Sequence, residues 1–232
     1  MKKLIIIALL GIGQFALGQK TQNLGDFTAV RAFDKINVTM MRSTENKIEL
    51  RGSDSENVEV VTKNGDLKIR MKTTKMFGGE NVEATLYYKG NISTVEASEG
   101  ATVTSPDTFK SIAFDVNAKE GAKIVLKVEA DRLKVKANSG GKLELKGSAK
   151  NNDVTMSSGA TLQATELSTE QTIITLNAGG TAEITASDFV DAKTRAGGNI
   201  YIYGNPKQVN QKTVAGGNIV VKAVSYTHLT LP

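Results

Sequence analysis

The sequence predicts an all-β protein: a right-handed parallel β-helix of about seven coils, preceded by an antiparallel β region that caps it. A glycine followed by Ala or Gly recurs at intervals of 18 to 21 residues. Apolar residues alternate with polar ones on both sides of each of these glycines. Neither a long amphipathic helical pattern nor frequent proline interrupts the repeats. The repeated residues, called the marker glycines, are Gly100, Gly121, Gly140, Gly159, Gly179, Gly197 and Gly216.

The alternation around the marker glycines defines the repeating unit. A period of two on both sides of a turn indicates two short strands that each bury one face. A repeat that recurs at a nearly fixed interval indicates units that stack on copies of themselves. About nineteen residues form one coil with two strands and two bends, and neighbouring coils lie about 4.8 Å apart. The sequence therefore predicts a β-helix over residues 91–222.

The handedness of this coil follows from a comparison with the left-handed hexapeptide helix. That alternative uses a constant coil length with an aliphatic residue at every sixth position. The marker glycines are unevenly spaced and occur once in each coil. Parallel crossovers are right-handed in nearly all known cases. Both observations favour the right-handed form.

The marker glycines themselves are interpreted as structural. A narrow coil must turn sharply at this point, and glycine adopts positive φ without strain. The next residue is always small, which predicts that it points inward at a tight corner. These residues are Ala101, Ala122, Gly141, Ala160, Gly180, Gly198 and Gly217.

Residues 27–90 contain strand patterns without the glycine repeat. Alternating segments occupy residues 33–40, 47–50, 58–62, 67–71 and 82–88. Asn64-Gly65 separates two of them, and this dipeptide is typical of a type I′ hairpin. We expect this region to form an antiparallel sheet over the open end of the β-helix, which would otherwise expose an unpaired edge.

Both ends of the chain are expected to lie outside the fold. Residues 1–18 have a basic start, an apolar stretch and a small-residue cleavage site, which together predict a signal peptide. Once it is removed, no segment is apolar enough to span a membrane. We therefore expect an exported protein of the periplasm or the cell surface. Residues 225–232 break the repeat and are interpreted as a non-native tail that contains the only histidine, His228.

The composition excludes several kinds of chemistry. The chain has no cysteine, so disulfides, thiolate metal sites and cysteine nucleophiles are impossible. Its bases are dispersed among acids rather than clustered, which argues against binding to nucleic acid. Without a histidine outside the tail, a Ser-His-Asp triad cannot form. We expect no catalytic residues, no cofactor and no metal.

Acidic residues in the repeats predict charge ladders rather than a calcium site. Asp115, Asp153 and Asp191 fall on alternate coils, about 9.6 Å apart, and Lys134 lies between the first two. Calcium ligands lie about 2.3–2.6 Å from the ion, so such carboxylates cannot easily share one. A second column also mixes acids with lysines. It contains Asp131, Lys150, Glu170, Asp188 and Lys207.

The best ligand-binding candidates in the repeats are Tyr201 and Tyr203. Exposed tyrosine combines an apolar face with a hydroxyl group and often contacts sugars or proteins. The alternative is that these rings merely cover a neighbouring strand. Asn199 and Asn218 share a column one coil apart, which predicts a stabilising amide ladder.

Three segments resemble the head GIN domain family, whose members are described as autotransporter adhesins of Gram-negative cell envelopes. They are the entry segment 31–38, the segment 196–206 and the repeated element at 215–219. The resemblance spans residues 31–222. It implies an exported β-helical domain that is similar to pectin-lyase-like proteins but lacks their catalytic residues. It also implies a role in adhesion, by analogy, since a fold alone does not establish a function.

The sequence thus predicts a non-enzymatic adhesion or interaction module whose partner is a surface glycan or an envelope protein. Two alternatives remain open: a carbohydrate-active enzyme with a degenerate site and a purely structural envelope scaffold. Acids clustered within one groove would favour the enzyme. An exposed face with aromatic and amide groups favours binding, and a featureless charged surface favours the scaffold.

Overall fold

The computed structural model describes residues 19–75 and 78–222, and within them the protein is all-β. The predicted signal peptide and the predicted tail with His228 lie outside these residues. Three short 3-10 helices occupy Ser55–Asn57, Thr73–Lys75 and Gly79–Asn81. Among the described residues, no helix is long and apolar enough to cross a membrane. The strands are β1 (Gln19–Asn23), β2 (Ala29–Ala32), β3 (Asn37–Arg42), β4 (Lys47–Arg51), β5 (Val58–Lys63), β6 (Asp66–Met71), β7 (Glu83–Tyr88), β8 (Thr94–Ala97), β9 (Thr102–Ala118), β10 (Lys123–Ala137), β11 (Lys142–Ser157), β12 (Thr161–Asn177), β13 (Thr181–Arg195), β14 (Asn199–Tyr203), β15 (Gln208–Val214) and β16 (Asn218–Val221).

The repeats form a β-solenoid of about seven turns, which confirms the predicted coil architecture. Each strand from β9 to β13 runs from one marker glycine to the next and bends once on the way. Successive strands pair in parallel, in the order of the chain. Strands β14 and β16 continue one side of the solenoid, while β15 continues the other. The handedness of the coil stays a prediction.

The marker glycines align along one side of the solenoid. In a typical turn, Glu120 and Gly121 have φ values of 55° and 73°, so both residues are left-handed. The N–H of Gly121 donates to the carbonyl of Ser139 at 3.0 Å, and the N–H of Gly140 donates to the carbonyl of Ser158 at 3.0 Å. These bonds join each turn to the next one, so the turns stack in register.

The residue after the marker glycine is buried in the first four of these turns, as predicted, whereas the last three, all glycines, are half-buried or exposed. Ala122 is fully buried, and a Cβ added to Gly141 would lie 2.2 Å from the carbonyl oxygen of Ala118. Inside the coils, the apolar column three residues beyond the glycines is buried, and only its last member, Ile219, is half-buried. The buried members are Val103, Ile124, Leu143, Leu162, Ala182 and Ile200.

The expectation of a purely antiparallel N-terminal cap is wrong in one respect, because the sheet there is mixed. Strand β4 pairs antiparallel with β1 and β7, and β5 pairs antiparallel with β6. Strand β2, however, pairs parallel with β6 and β8, and β3 pairs parallel with β7 and β9. Strands β2 and β3 therefore form a coil of their own, which stacks directly on the repeats.

This first coil lacks the glycine that marks the others. Its turn uses Asp34 and Lys35, with φ values of 59° and 63°, and the N–H of Lys35 donates to the carbonyl of Glu99 at 2.9 Å. The backbone thus makes the same turn with lysine in the glycine position. The predicted hairpin at Asn64-Gly65 is confirmed, since both residues have positive φ between β5 and β6.

Charged side chains join the first coil to its neighbours. The guanidinium of Arg31 contacts Asp66 at 2.8 Å and also bonds to Glu96, whose side chain is 8% exposed. Lys119 reaches the same Glu96 carboxylate at 2.7 Å. The buried Glu96 carboxylate thereby has two cationic partners, which offset the cost of removing its charge from water.

An aromatic cluster fills the junction between the N-terminal region and the first repeats. The ring of Tyr88 stacks on Phe109 with centroids 5.6 Å apart, and Phe109 packs on Phe114 at 5.5 Å. The Tyr88 hydroxyl donates to Asp107 at 3.3 Å. Burial, reinforced by the negative charge of Asp107, raises the pKa of Tyr88 to about 12.

The substitution Gly180→Ala should destabilise the protein much more than Gly179→Ala. Gly179 has a φ of +79° with open space around an added Cβ, so alanine costs only the left-handed strain of about 1 kcal/mol. Gly180 has a φ of +114°, and its Cβ would lie 2.5 Å from the carbonyl oxygen of Ala160. Strain and overpacking together should cost at least about 3 kcal/mol, measured by urea unfolding. Equal losses would contradict the close packing of the coils.

The substitution Tyr88→Phe should remove one source of alkaline destabilisation. An unfolded tyrosine ionises near pH 10, whereas the pKa of Tyr88 in the folded protein is about 12. Its contribution to stability is therefore full below pH 10 and is lost as the pH rises from about 10 to about 12. Urea unfolding of both proteins across this range should show a steeper loss for the wild type. Parallel curves would contradict the raised pKa.

Candidate binding groove

The described part of the chain carries a groove at the bend in the middle of each coil. Its volume is about 780 Å³, and it runs along the solenoid from β9 to the residue after β14. With neighbouring coils about 4.8 Å apart, the five residues of a column from β9 to β13 span roughly 20 Å. We call this feature the corner groove.

The corner groove is built from three columns of residues, and strand pairing between successive coils holds the first two of them in register. The first wall consists of Lys110, Glu129, Ser148, Ser168 and Thr185. The floor consists of Ser111, Ala130, Ala149, Thr169 and Ala186. The second wall, formed by the residue that follows each floor residue, consists of Ile112, Asp131, Lys150, Glu170 and Ser187.

Small residues make this side of the coil concave. The floor contains only Ala, Ser and Thr, so no long side chain fills the bend. Close backbone approaches occur on either side of it. An added Cβ would lie 2.2 Å from the carbonyl oxygen of Val128 at Gly147 and 2.5 Å from that of Ala186 at Gly204. The pairing of β11 with β12 and of β12 with β13 shifts register at the bend, which lets the chain change direction.

The floor is supported from below by a hydrogen-bonded pair of threonines. The Thr169 hydroxyl lies 2.8 Å from the Thr172 hydroxyl and donates to the carbonyl of Thr185 at 2.8 Å. Both side chains are buried. The hydroxyl of Thr169 is therefore committed inside the coil rather than to the groove.

Charges along the groove pair with one another between neighbouring coils. Lys150 contacts Asp131 at 2.7 Å, and Lys207 contacts Asp188 at 2.6 Å, so the predicted ladder in this column is confirmed at two places. Along the first wall, the Lys110 ammonium contacts the Glu129 carboxylate of the next coil at 2.7 Å. The hydrogen bond to Asp131 raises the pKa of Lys150. The negative charges of Asp131 and Glu170 raise this pKa further.

The other predicted ladder also stands in register, although it lies on a different face. In the register of the strands, Lys134 lies beside Asp115 of the preceding coil and beside Asp153 of the next one. These residues line a smaller groove of about 320 Å³. Between residues 19 and 222, leaving aside 76–77, no group of three or more His, Cys, Asp or Glu side chains is arranged to hold a metal ion.

The two tyrosines predicted to bind a ligand lie on β14, outside the lining of the groove. Tyr201 is half-buried beside Glu183, and the Lys222 ammonium lies 5.3 Å from its ring centroid. Tyr203 pairs with Thr185, the last residue of the first wall, and so extends this wall by one coil. Only Tyr203 is therefore in line with the groove.

Sequence analysis missed the groove, although a signal for it exists. The floor residues of β9 to β12 lie ten residues before a marker glycine, and all are small: Ser111, Ala130, Ala149 and Thr169. Small polar and apolar residues at a bend are compatible with either a filled or an open corner. Only the path of the chain shows that the corner is open.

The sequence profile described as "Putative auto-transporter adhesin, head GIN domain" matches residues 26–206. The chain belongs to this family. The predicted resemblance is thereby confirmed over most of its length. Among curated proteins, none is significantly similar in sequence.

Solved structures share the fold of this head GIN domain. A protein from Bacteroides fragilis described as a putative adhesin superposes with a TM-score of 0.80 at 16% identity, over 88% of this chain and 96% of that one. A putative adhesin from Parabacteroides merdae gives 0.69 at 19% identity, over 90% and 98%. A putative lipid binding protein from Parabacteroides distasonis gives 0.68 at 13% identity, over 88% and 96%. At these identities, the likeness establishes the fold alone.

The substitution Asp131→Lys should lower the melting temperature, and adding Lys150→Asp should restore part of the loss. The single change places two ammonium groups on neighbouring coils, whereas the double change restores an opposite pair in the reverse order. Thermal unfolding at low and high salt measures both effects. The recovery should shrink at high salt because screening weakens exposed pairs. A double variant no more stable than the single one would contradict the ladder.

Proposed function

We propose that this head GIN domain is a non-enzymatic, exported interaction module that binds an extended ligand along the corner groove. The ligand is a chain on a surface glycan or an envelope protein, and binding supports adhesion in the periplasm or at the cell surface. The observation that carries this proposal is the groove itself, about 780 Å³ in volume and open across successive coils.

The shape of the groove favours an elongated ligand over a small molecule. Small-molecule sites enclose most of their ligand and converge a few polar groups on one point. The corner groove instead repeats similar side chains once in each coil, along roughly 20 Å. A chain-like ligand can contact several coils at once, so many weak contacts add up.

Binding without catalysis is favoured over the enzymatic alternative. Glycoside hydrolysis needs two carboxyl groups of different protonation facing one bond, and polysaccharide lyases need convergent acids around calcium. In the groove, Glu129 and Asp131 each contact a lysine. Acids held in ion pairs are poorly suited to act as proton donors. The scaffold alternative leaves the open groove without a role.

Replacing the hydroxyls of the first wall should weaken ligand binding without unfolding the protein. The variant Ser148→Ile/Ser168→Ile places two bulky side chains at exposed positions on neighbouring coils of the groove. It removes two hydrogen-bonding groups and narrows the groove, so affinity should fall at least about tenfold. Binding is measured on arrays of glycans and envelope peptides, followed by titration of each hit.

The matched control is Thr155→Ile/Thr175→Ile. These threonines also face outward on β11 and β12 and also pair with each other, but neither lines a groove. The control should keep the affinity of the wild type. Equal affinities of the groove variant and the wild type would overturn the groove as the binding site. Turnover of a hit by the wild type would overturn the non-enzymatic assignment.

A further inference from the structure

The charges of the corner groove leave one acidic group uncommitted in the sense that it forms no direct ion pair, although its charge acts on the nearby Lys150. Lys110 and Lys150 each form an ion pair with an acid of a neighbouring coil. Glu170 is exposed on the second wall, and within the described residues it forms no ion pair. The lining holds two lysines against three acids, so its formal charge is negative. A polyanionic chain would meet this excess of acid rather than free ammonium groups.

The backbone of the groove is unavailable to a peptide ligand. Extended peptides bind mainly by adding a strand to an open sheet edge, where unpaired N–H and C=O groups await them. Along the groove, strands β9 to β13 already pair with a coil on each side. The floor also lacks deep pockets for alternate side chains, since Ala and Thr cover it. Recognition must therefore use side chains alone.

The side chains that remain match the chemistry of a sugar chain. Ser148 and Ser168 form a column of exposed hydroxyl groups that can donate and accept hydrogen bonds, and the Thr185 hydroxyl, which donates to the carbonyl of Thr165 at 2.9 Å, can still accept one. Between the walls, the methyl group of Ala130 is half-buried and gives the floor a small apolar surface for the face of a sugar ring, whereas Ala149 and Ala186 are buried in the core. Tyr203 continues the hydroxyl column by one coil, and its ring can stack on a terminal sugar.

We propose that the corner groove binds a linear glycan whose sugars carry amino groups, with one ammonium group facing Glu170. This inference rests on the proposed function and adds the chemical class of the ligand. The hydroxyl column positions successive sugars, and the uncommitted carboxylate selects a positive substituent. The same carboxylate disfavours uronic acid chains.

The test compares three oligosaccharides of equal length at mildly acidic pH, where the amino groups of glucosamine are protonated. The probes are a β-1,4-linked glucosamine hexamer, its N-acetylated counterpart and a galacturonate hexamer. Isothermal titration should give the highest affinity for the glucosamine hexamer and the lowest for the galacturonate hexamer. Glu170→Gln should weaken binding of the glucosamine hexamer about threefold and leave the N-acetylated hexamer unchanged.

Lys150→Met serves as the matched charge control, since it removes the neighbouring cation and should strengthen binding of the glucosamine hexamer. Tighter binding of galacturonate, or a preference that Glu170→Gln does not alter, would overturn the glycan class. If Ser148→Ile/Ser168→Ile nevertheless abolishes the binding of that hexamer, the groove remains the binding site and the proposed function is still supported. If no hexamer binds, the glycan class is wrong, and the peptide hits of the array decide the proposed function.

Discussion

The structure depends on one constraint, the stacking of successive coils at the spacing of a β-ladder. Each coil can approach the next only if its backbone groups pair along both strands and at the turn. At Gly180 an added Cβ would lie 2.5 Å from the carbonyl oxygen of Ala160, so the coil below leaves no room for a side chain. The spacing of the ladder therefore dictates which residues the corners accept.

The same stacking determines the chemistry of the surface. A position repeated in each coil becomes a column, and its members become neighbours whatever their separation in sequence. Asp131 and Lys150 are nineteen residues apart, yet their charged atoms lie 2.7 Å apart. Ion pairs between neighbouring coils neutralise most of the charge along the corner groove. What remains for a ligand is a line of hydroxyl groups, a floor of small side chains and one carboxylate without a direct ion pair.

The N-terminal region shows how far a sequence repeat can be trusted. The marker glycines revealed the coils from Gly100 onward, but the first coil turns at Asp34 and Lys35, which carry no such signal. Hydrogen bonding of this turn to Glu99 holds the lysine in a left-handed conformation that it would seldom adopt alone. The expected antiparallel cap is accordingly a mixed sheet, in which β6 and β7 pair in parallel with the first coil and the antiparallel strands lie beyond them, away from the repeats.

The sequence by itself determined the all-β class, the stacking of coils, the inward columns and the alignment of the turns, because these follow from local periodicity and from the freedom of glycine. It also determined the charge ladders, since equal spacing brings equal positions together. Only the tertiary structure decided that the bend is open and that β2 and β3 join the solenoid. It also decided that Tyr203 continues the first wall of the corner groove, whereas Tyr201 packs beside Lys222. These features depend on how distant segments pack, and no local pattern records that.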